Sequence, residues 1–290
     1  MKKTAVITGA DGGMGTEITR EVAAAGYHVI MLCLTTFRGE ERRSQIALET
    51  GNKDIEVIQV DLSSMENIVE VARQICEQET GIDLLMNNAG TMCTHFTRTD
   101  EGFEYTVAVN YLAPYLLTRL LLPKMHEGTR IVSMVSCTYA IGKIGPHFFT
   151  NGKEGSFWRI PIYSNTKLAL WLFTRKLAEE VKDRGITVNA ADPGIVSTNI
   201  ISMDMWFDPL TDVLFRPFIR KPRTGADTAI RLLLDKEWEG VTGTMFASGK
   251  PRKLKEKFLH HPQMNSLWKD TETLLEKYLK AEPAEKVYNN

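Results

Sequence analysis

The sequence predicts an α/β protein built on a doubly wound parallel sheet, and three observations lead there. Apolar runs of strand length alternate with longer segments of helical period along most of the chain. These strand candidates are continuous apolar runs rather than alternating ones, as strands buried on both faces are. A glycine-rich segment, TGADGGMG at Thr8 to Gly15, joins the first strand to the first helix. Strand–helix alternation with right-handed crossovers gives a parallel sheet covered on both faces.

The elements follow in order. TAVIT is the first strand, with a helix through EITREVAAAG behind it. YHVIMLCL is the second strand, and a polar helix starts near Arg38. IEVIQV is the third, followed by SMENIVEVARQICEQ, whose apolar residues recur at helical spacing. IDLLMN is the fourth, and a long helix is expected from about Glu101 to Met125. RIVSMVS is the fifth; YSNTK, Tyr163 to Lys167, opens a long helix ending near Arg184. ITVNAA and GTMFA supply the sixth and seventh strands. Two long stretches break the alternation, Tyr139 to Ile162 and Ile195 to Pro222, and loops of that length usually carry function. No repeat or linker marks a boundary. Residues 1–254 are therefore expected to form one domain with a lid at about 195–222, and 255–290 a helical extension packed on it.

The bulk numbers exclude several classes. With 290 residues, 43% of them hydrophobic, the chain can bury a substantial core. A net charge of −1 argues against nucleic-acid binding. The short basic cluster from Lys250 to Lys257 reads as a solvated helix face, and His260-His261 before Pro262 as a helix end. Cys33, Cys76, Cys93 and Cys137 lack C-x-x-C spacing, and no H-E-x-x-H occurs, so neither a disulfide framework nor a metal site is expected. No apolar run approaches the roughly 18 residues that span a bilayer, and the N-terminus has no signal-peptide core. The chain reads as cytoplasmic.

The glycine turn sits where a doubly wound sheet binds phosphate: a tight turn runs into a helix N-terminus whose N–H groups face an anion. Its spacing is G-x-x-x-G-x-G at Gly9, Gly13 and Gly15. Asp61 ends the third strand, and Asn87-Asn88-Ala89-Gly90 the fourth. Ligands in this architecture bind at the carboxyl ends of strands, so these residues converge on one crevice suited to a dinucleotide.

The chemistry candidates come later in the chain. Asn110 lies in the long fourth helix, Ser136 tops the fifth strand, and Tyr163 and Lys167 are an i, i+4 pair on one helix face. An ordinary tyrosine has a pKa near 10, too high to act as a base at neutral pH. A lysine ammonium at about 4 Å, in an effective dielectric near 20, contributes roughly 4 kcal/mol, or about three pKa units. That would bring the phenol close to neutrality, where general acid–base catalysis is most efficient. Ser136 would hold the substrate oxygen for proton exchange with Tyr163. A serine-hydrolase reading fails because no G-x-S-x-G surrounds Ser136.

In this order TGADGGMG, NNAG, Asn110, Ser136, YSNTK and DPGIVST resemble the short-chain dehydrogenase/reductase family, with its Rossmann-type fold. YSNTKLALWLFTRKLAEEV, the insertion before Tyr163 and PFIRKPRTGADTA are similar to its retinol-dehydrogenase-like branch, which includes the WW-domain oxidoreductases. The resemblance implies Tyr163 as proton donor or acceptor, Lys167 tuning it and binding the nicotinamide ribose, and Ser136 orienting the substrate. It implies a relay water at Asn110. Gly9, Gly13, Met14 and Gly15 would take the pyrophosphate, Asp61 and Leu62 the adenine, and Asn88, Ala89 and Gly90 the adenosine. Pro193, Gly194, Val196 and Thr198 would contact the carboxamide.

That branch carries an arginine after the cysteine of strand two; here Cys33 is followed by Leu34, Thr35 and Thr36. Thr35 and Arg38 are the substitutes expected at the 2′-phosphate, with Arg42 and Arg43 as other candidates, and the reading leans to NADP over NAD. Met203, Trp206, Phe207 and Phe215 line the expected lid, implying a bulky apolar alcohol or carbonyl compound of steroid, retinoid or long-chain aldehyde type. A reductase of an activated carbon–carbon double bond and a redox sensor without turnover stand as alternatives. Family members often pair the apolar helix after YSNTK, which leaves a homodimer open.

Overall fold

The computed structural model describes residues 2–150, 157–194 and 221–280. Among these, eight strands form one sheet in the order β3-β2-β1-β4-β5-β6-β7-β8. They are β1 (Thr4–Thr8), β2 (His28–Cys33), β3 (Ile55–Gln59), β4 (Ile82–Asn87), β5 (Met125–Met134), β6 (Thr187–Asp192), β7 (Met245–Ala247) and β8 (Lys250–Pro251). All pair in parallel except β8, a two-residue antiparallel edge that the sequence reading did not anticipate.

The strand order reverses between β1 and β4, which opens a crevice at their carboxyl ends. Strand residues alternate between two cores, as pleating requires. Val6, Ile30 and Leu85 pack with α3 (Met65–Glu77), α5 (Ala113–Leu121) and α6 (Arg159–Glu180). Ala5, Ile7 and Met86 face α1 (Gly13–Ala24), α2 (Thr36–Thr50) and a later helix, α7 (Pro222–Leu234).

Several boundaries depart from the sequence reading: β5 begins at Met125 rather than Arg130 and α1 at Gly13 rather than Glu17, and three further differences stand out. The helix expected from Glu101 starts at Tyr105, because Gly102 turns at φ +87° and the Glu104 carboxylate caps the Val107 N–H at 2.9 Å. Its path runs through α4 (Tyr105–Val107), a π-turn at Ala108–Leu112, then α5. The helix carrying YSNTK starts at Arg159 rather than Tyr163, since Pro161 is compatible with a first turn. The Lys250–Lys257 cluster is no single helix face: its first residues form β8, and only Glu256–Leu259 (α8) is helical.

Leu168 to Phe173 on α6 are buried within this one chain. The following helices, α9 (Met264–Leu274) and α10 (Glu276–Leu279), lie against α5, α6 and α3. Trp268 stacks on Phe173 at 6.0 Å, Trp171 Nε1 donates to the Phe258 carbonyl at 2.9 Å, and Tyr111 shares a 2.7 Å hydrogen bond with Thr271.

Candidate active site

The phosphate end is built from backbone. Gly9 adopts φ +59°, and a Cβ on Gly15 would fall 2.0 Å from the Gly9 carbonyl oxygen, so no side chain fits there. Among the described residues no side chain caps α1, which leaves its leading N–H groups and positive dipole end for an anion. The floor is braced from β4. The Asn88 and Ala89 N–H groups both donate to the Thr8 hydroxyl at 3.0 Å, and Asn88 Nδ2 donates to the Thr8 and Gly9 carbonyls at 3.0 and 3.1 Å.

Above this floor lies a cavity of about 580 Å³ bordered by Gly9, Gly13, Met14, Gly15, Arg38, Asp61, Leu62, Asn88, Ala89 and Gly90. It brings together ten positions singled out from sequence. Buried Asn88 Oδ1 has no hydrogen-bond partner among the described residues. An open helix start, a turn closed to side chains and an orphaned buried acceptor fit the pyrophosphate and ribose of a dinucleotide.

Past the end of β2, Leu34 and, in the first turn of α2, Arg38 border the cavity, whereas Thr35 only starts α2 and is not among the residues that line it. Arg38 Nε stands 3.5 Å from an Asp11 oxygen. Arg42 and Arg43 instead bond Gln45 and Glu40 along the helix surface. Sequence reasoning passed over Asp11, although an acid inside a glycine turn was visible. It also passed over Val60, Thr91, Tyr105 and Val109, which complete the wall from elements distant in sequence.

The chemistry end lies beside Gly90, where an added Cβ would stand 3.4 Å from Lys167 Nζ and 3.5 Å from Asn110 Oδ1. Asn110 is fully buried in the π-turn, a distortion common at functional sites. Its amide donates to the Thr91 carbonyl at 2.8 Å and the Thr166 hydroxyl at 3.1 Å, and its oxygen accepts the Thr91 N–H at 2.7 Å. The side chain thereby ties the end of β4 to α6. Ser136, extended at φ −156°, starts a tight turn at Cys137–Ile141 and accepts from the Thr138 N–H at 3.3 Å.

Lys167 is buried, donates to the Met134 carbonyl at 2.8 Å, and stands 5.5 Å from the centre of the Tyr163 ring. Burial pushes the Lys167 ammonium down to about 8. Burial also pushes the Tyr163 phenol up to about 12, against a downward pull from a Ser136 hydrogen bond. The lowering expected from the i, i+4 spacing is not found: burial is the largest influence on both groups. The Tyr163 phenol is therefore held in its protonated form at neutral pH.

Pro193 and Gly194 follow β6, with Gly194 at φ +74° and its N–H held by Asp192 Oδ1 at 3.0 Å. Val196 and Thr198, with the lid positions Met203, Trp206, Phe207 and Phe215, lie outside the described residues.

The family follows. The short chain dehydrogenase model matches residues 3–204, and the chain belongs to that family. Retinol dehydrogenase 12 of Homo sapiens is 34% identical over 268 residues, covering 92% of this chain and 84% of that protein. An uncharacterized protein from Mycobacterium paratuberculosis superposes with a TM-score of 0.76 at 26% identity, covering 94% of this chain and 93% of the other. A blue fluorescent protein from a metagenomic library, solved in complex with NADPH, gives 0.66 at 25% identity, covering 84% and 95%. With the family comes the class of reaction: the chain is an NAD(P)-dependent oxidoreductase of alcohols and carbonyls. Among the described residues no helix is long and apolar enough to cross a membrane.

Proposed function

We propose that this enzyme exchanges the proton of a bulky apolar alcohol or carbonyl compound through Tyr163, with NADP as its preferred nucleotide. The observation that carries the reading is the placement of Ser136, Tyr163, Lys167 and Asn110 together beside the glycine-floored cavity. Gly9, Gly13, Met14 and Gly15 hold the pyrophosphate, Asp61 and Leu62 border the adenine, and Asn88 to Gly90 follow the adenosine. Bound along the crevice, the nicotinamide supplies or accepts the hydride. Ser136 donates a hydrogen bond to the substrate oxygen and fixes it within reach of the Tyr163 hydroxyl. Tyr163, neutral at working pH, gives its proton to that oxygen during reduction. Oxidation needs the ionised phenol, so it gains as pH rises. Lys167 supplies the ammonium beneath the ring, Asn110 on the π-turn ties α6 to the segment after β4, and Pro193 and Gly194 meet the carboxamide.

The NADP preference rests on Arg38, in the first turn of α2, which borders the cavity, with Asp11 opposing part of its charge. The apolar substrate is supported by Ile141, Trp158 and Ile160, 65%, 73% and 48% exposed on the segments flanking Ser136 and Tyr163. The retinol dehydrogenase relatives point to the same class. Assaying long-chain aldehydes, retinoids and steroids against short polar carbonyls tests this, with NADPH and NADH in parallel. Apolar compounds are expected to give the higher kcat/KM; preference for short polar carbonyls would refute the substrate class.

A further inference from the structure

Asp192 and Arg252 form a pair that the roles above leave unused. Asp192 ends β6 with its side chain 4% exposed, and Arg252 Nη1 reaches its Oδ2 at 2.7 Å. The other carboxylate oxygen holds the Gly194 N–H. Arg252 arrives from just past β8, its own N–H donating to the Met245 carbonyl at 2.7 Å. Its guanidinium also lies 5.7 Å from the centre of the Tyr139 ring, in the turn that Ser136 starts. One side chain thus touches both turns that border the reacting centre. A carboxylate that accepts from two partners, together with a planar donor, fixes such a junction more rigidly than one apolar contact does.

We propose that the Asp192–Arg252 pair is a positioning device for the reaction: it locks the turn after β6 to the turn after β5 and balances the charge that Tyr163 feels. This rests on the assignment of Tyr163 as the proton-exchanging group. Among the described residues, the groups facing Tyr163 are Ser136 and Cys137 from the turn after β5, Asp192 from the end of β6, and Lys167 on α6 itself. The Asp192 carboxylate favours the neutral phenol, and the Arg252 guanidinium offsets that carboxylate. Losing the arginine leaves a buried, uncompensated negative charge beside the site, whereas losing the carboxylate charge leaves a net positive one.

The test is the pH profile of alcohol oxidation, read with nucleotide binding by NAD(P)H fluorescence. Arg252→Met is expected to move the acidic limb of kcat up by about one pH unit, as one charge several ångströms away does in a partly wet site. Asp192→Asn, which keeps the acceptor for the Gly194 N–H, moves it down. The double variant returns it towards wild type, and Arg252→Lys leaves it in place. Nucleotide affinity stays within about threefold throughout, a change below 1 kcal/mol. If Arg252→Met does not fold, Asp192→Asn and Arg252→Lys still decide the sign. Single variants that lower kcat without moving the limb in opposite directions would overturn the inference. Tyr163→Phe in the same series separates the two levels: if it keeps its turnover, the underlying assignment fails, and if it is dead while the limb stays fixed, only the pair's role fails.

Discussion

Lys167→Met is expected to make the protein more stable at neutral pH while abolishing turnover. Lys167 is 3% exposed and its ammonium is held down at about 8 from 10.5. At about 1.4 kcal/mol per unit, keeping that charge buried costs about 3 kcal/mol. A group with a lowered folded pKa contributes its full stability only above the unfolded value. That contribution is lost as pH falls through the folded one, so the window runs from about 10.5 down to about 8. At pH 7 the wild type therefore carries the whole cost. Methionine removes it but strands the Met134 carbonyl that Lys167 now satisfies, a loss of about 1 to 2 kcal/mol. The net gain at pH 7 is about 1 to 2 kcal/mol, a rise of a few degrees in Tm. Above the window the gain disappears and the stranded carbonyl makes the variant the less stable protein. Tyr163, raised to about 12, weakens both proteins alike above pH 10, so it cancels in the difference. Urea midpoints of both proteins at pH 7 and pH 10.5 measure this. A variant less stable than wild type at pH 7, or a difference that ignores pH, would refute a desolvated ammonium.

Four further outcomes follow from the geometry. Gly15→Ala puts a Cβ 2.0 Å from the Gly9 carbonyl, so nucleotide affinity by fluorescence titration is expected to fall at least a hundredfold, about 3 kcal/mol. Arg38→Ala should weaken NADPH about tenfold or more and leave NADH within twofold, whereas Asp11→Asn should strengthen NADPH, since the carboxylate now holds the arginine at 3.5 Å. Trp268→Ala removes the stack on Phe173 and the Arg119 guanidinium at 5.0 Å, and its urea midpoint should report a loss of about 2 to 3 kcal/mol.

What the sequence disclosed was local. TGADGGMG and YSNTK each compress their geometry into a few residues, so the phosphate turn and the Tyr163–Lys167 face were legible. Parallel strands announced themselves because β1, β2 and β4 are apolar on both faces. What stayed hidden depends on contacts between distant segments. The Asp192–Arg252 pair spans sixty residues, and Arg252 sat in a basic cluster that looked like solvent-facing decoration. Asp11 meets Arg38 only once β1 and β2 pair. The upward push of burial on Tyr163 was not legible, because spacing reports proximity and says nothing of burial. The start of α6 moved because Pro161 reads as a break in sequence but sits comfortably in a helix's first turn.

The most direct test is Tyr163→Phe assayed for binding and turnover together. With the ring kept and only its hydroxyl gone, NAD(P)H should quench with an affinity within about threefold of wild type. The rate of carbonyl reduction should fall by about a thousandfold, the usual worth of a positioned general acid. A variant that binds nucleotide and still turns over at a comparable rate would contradict the account at its centre.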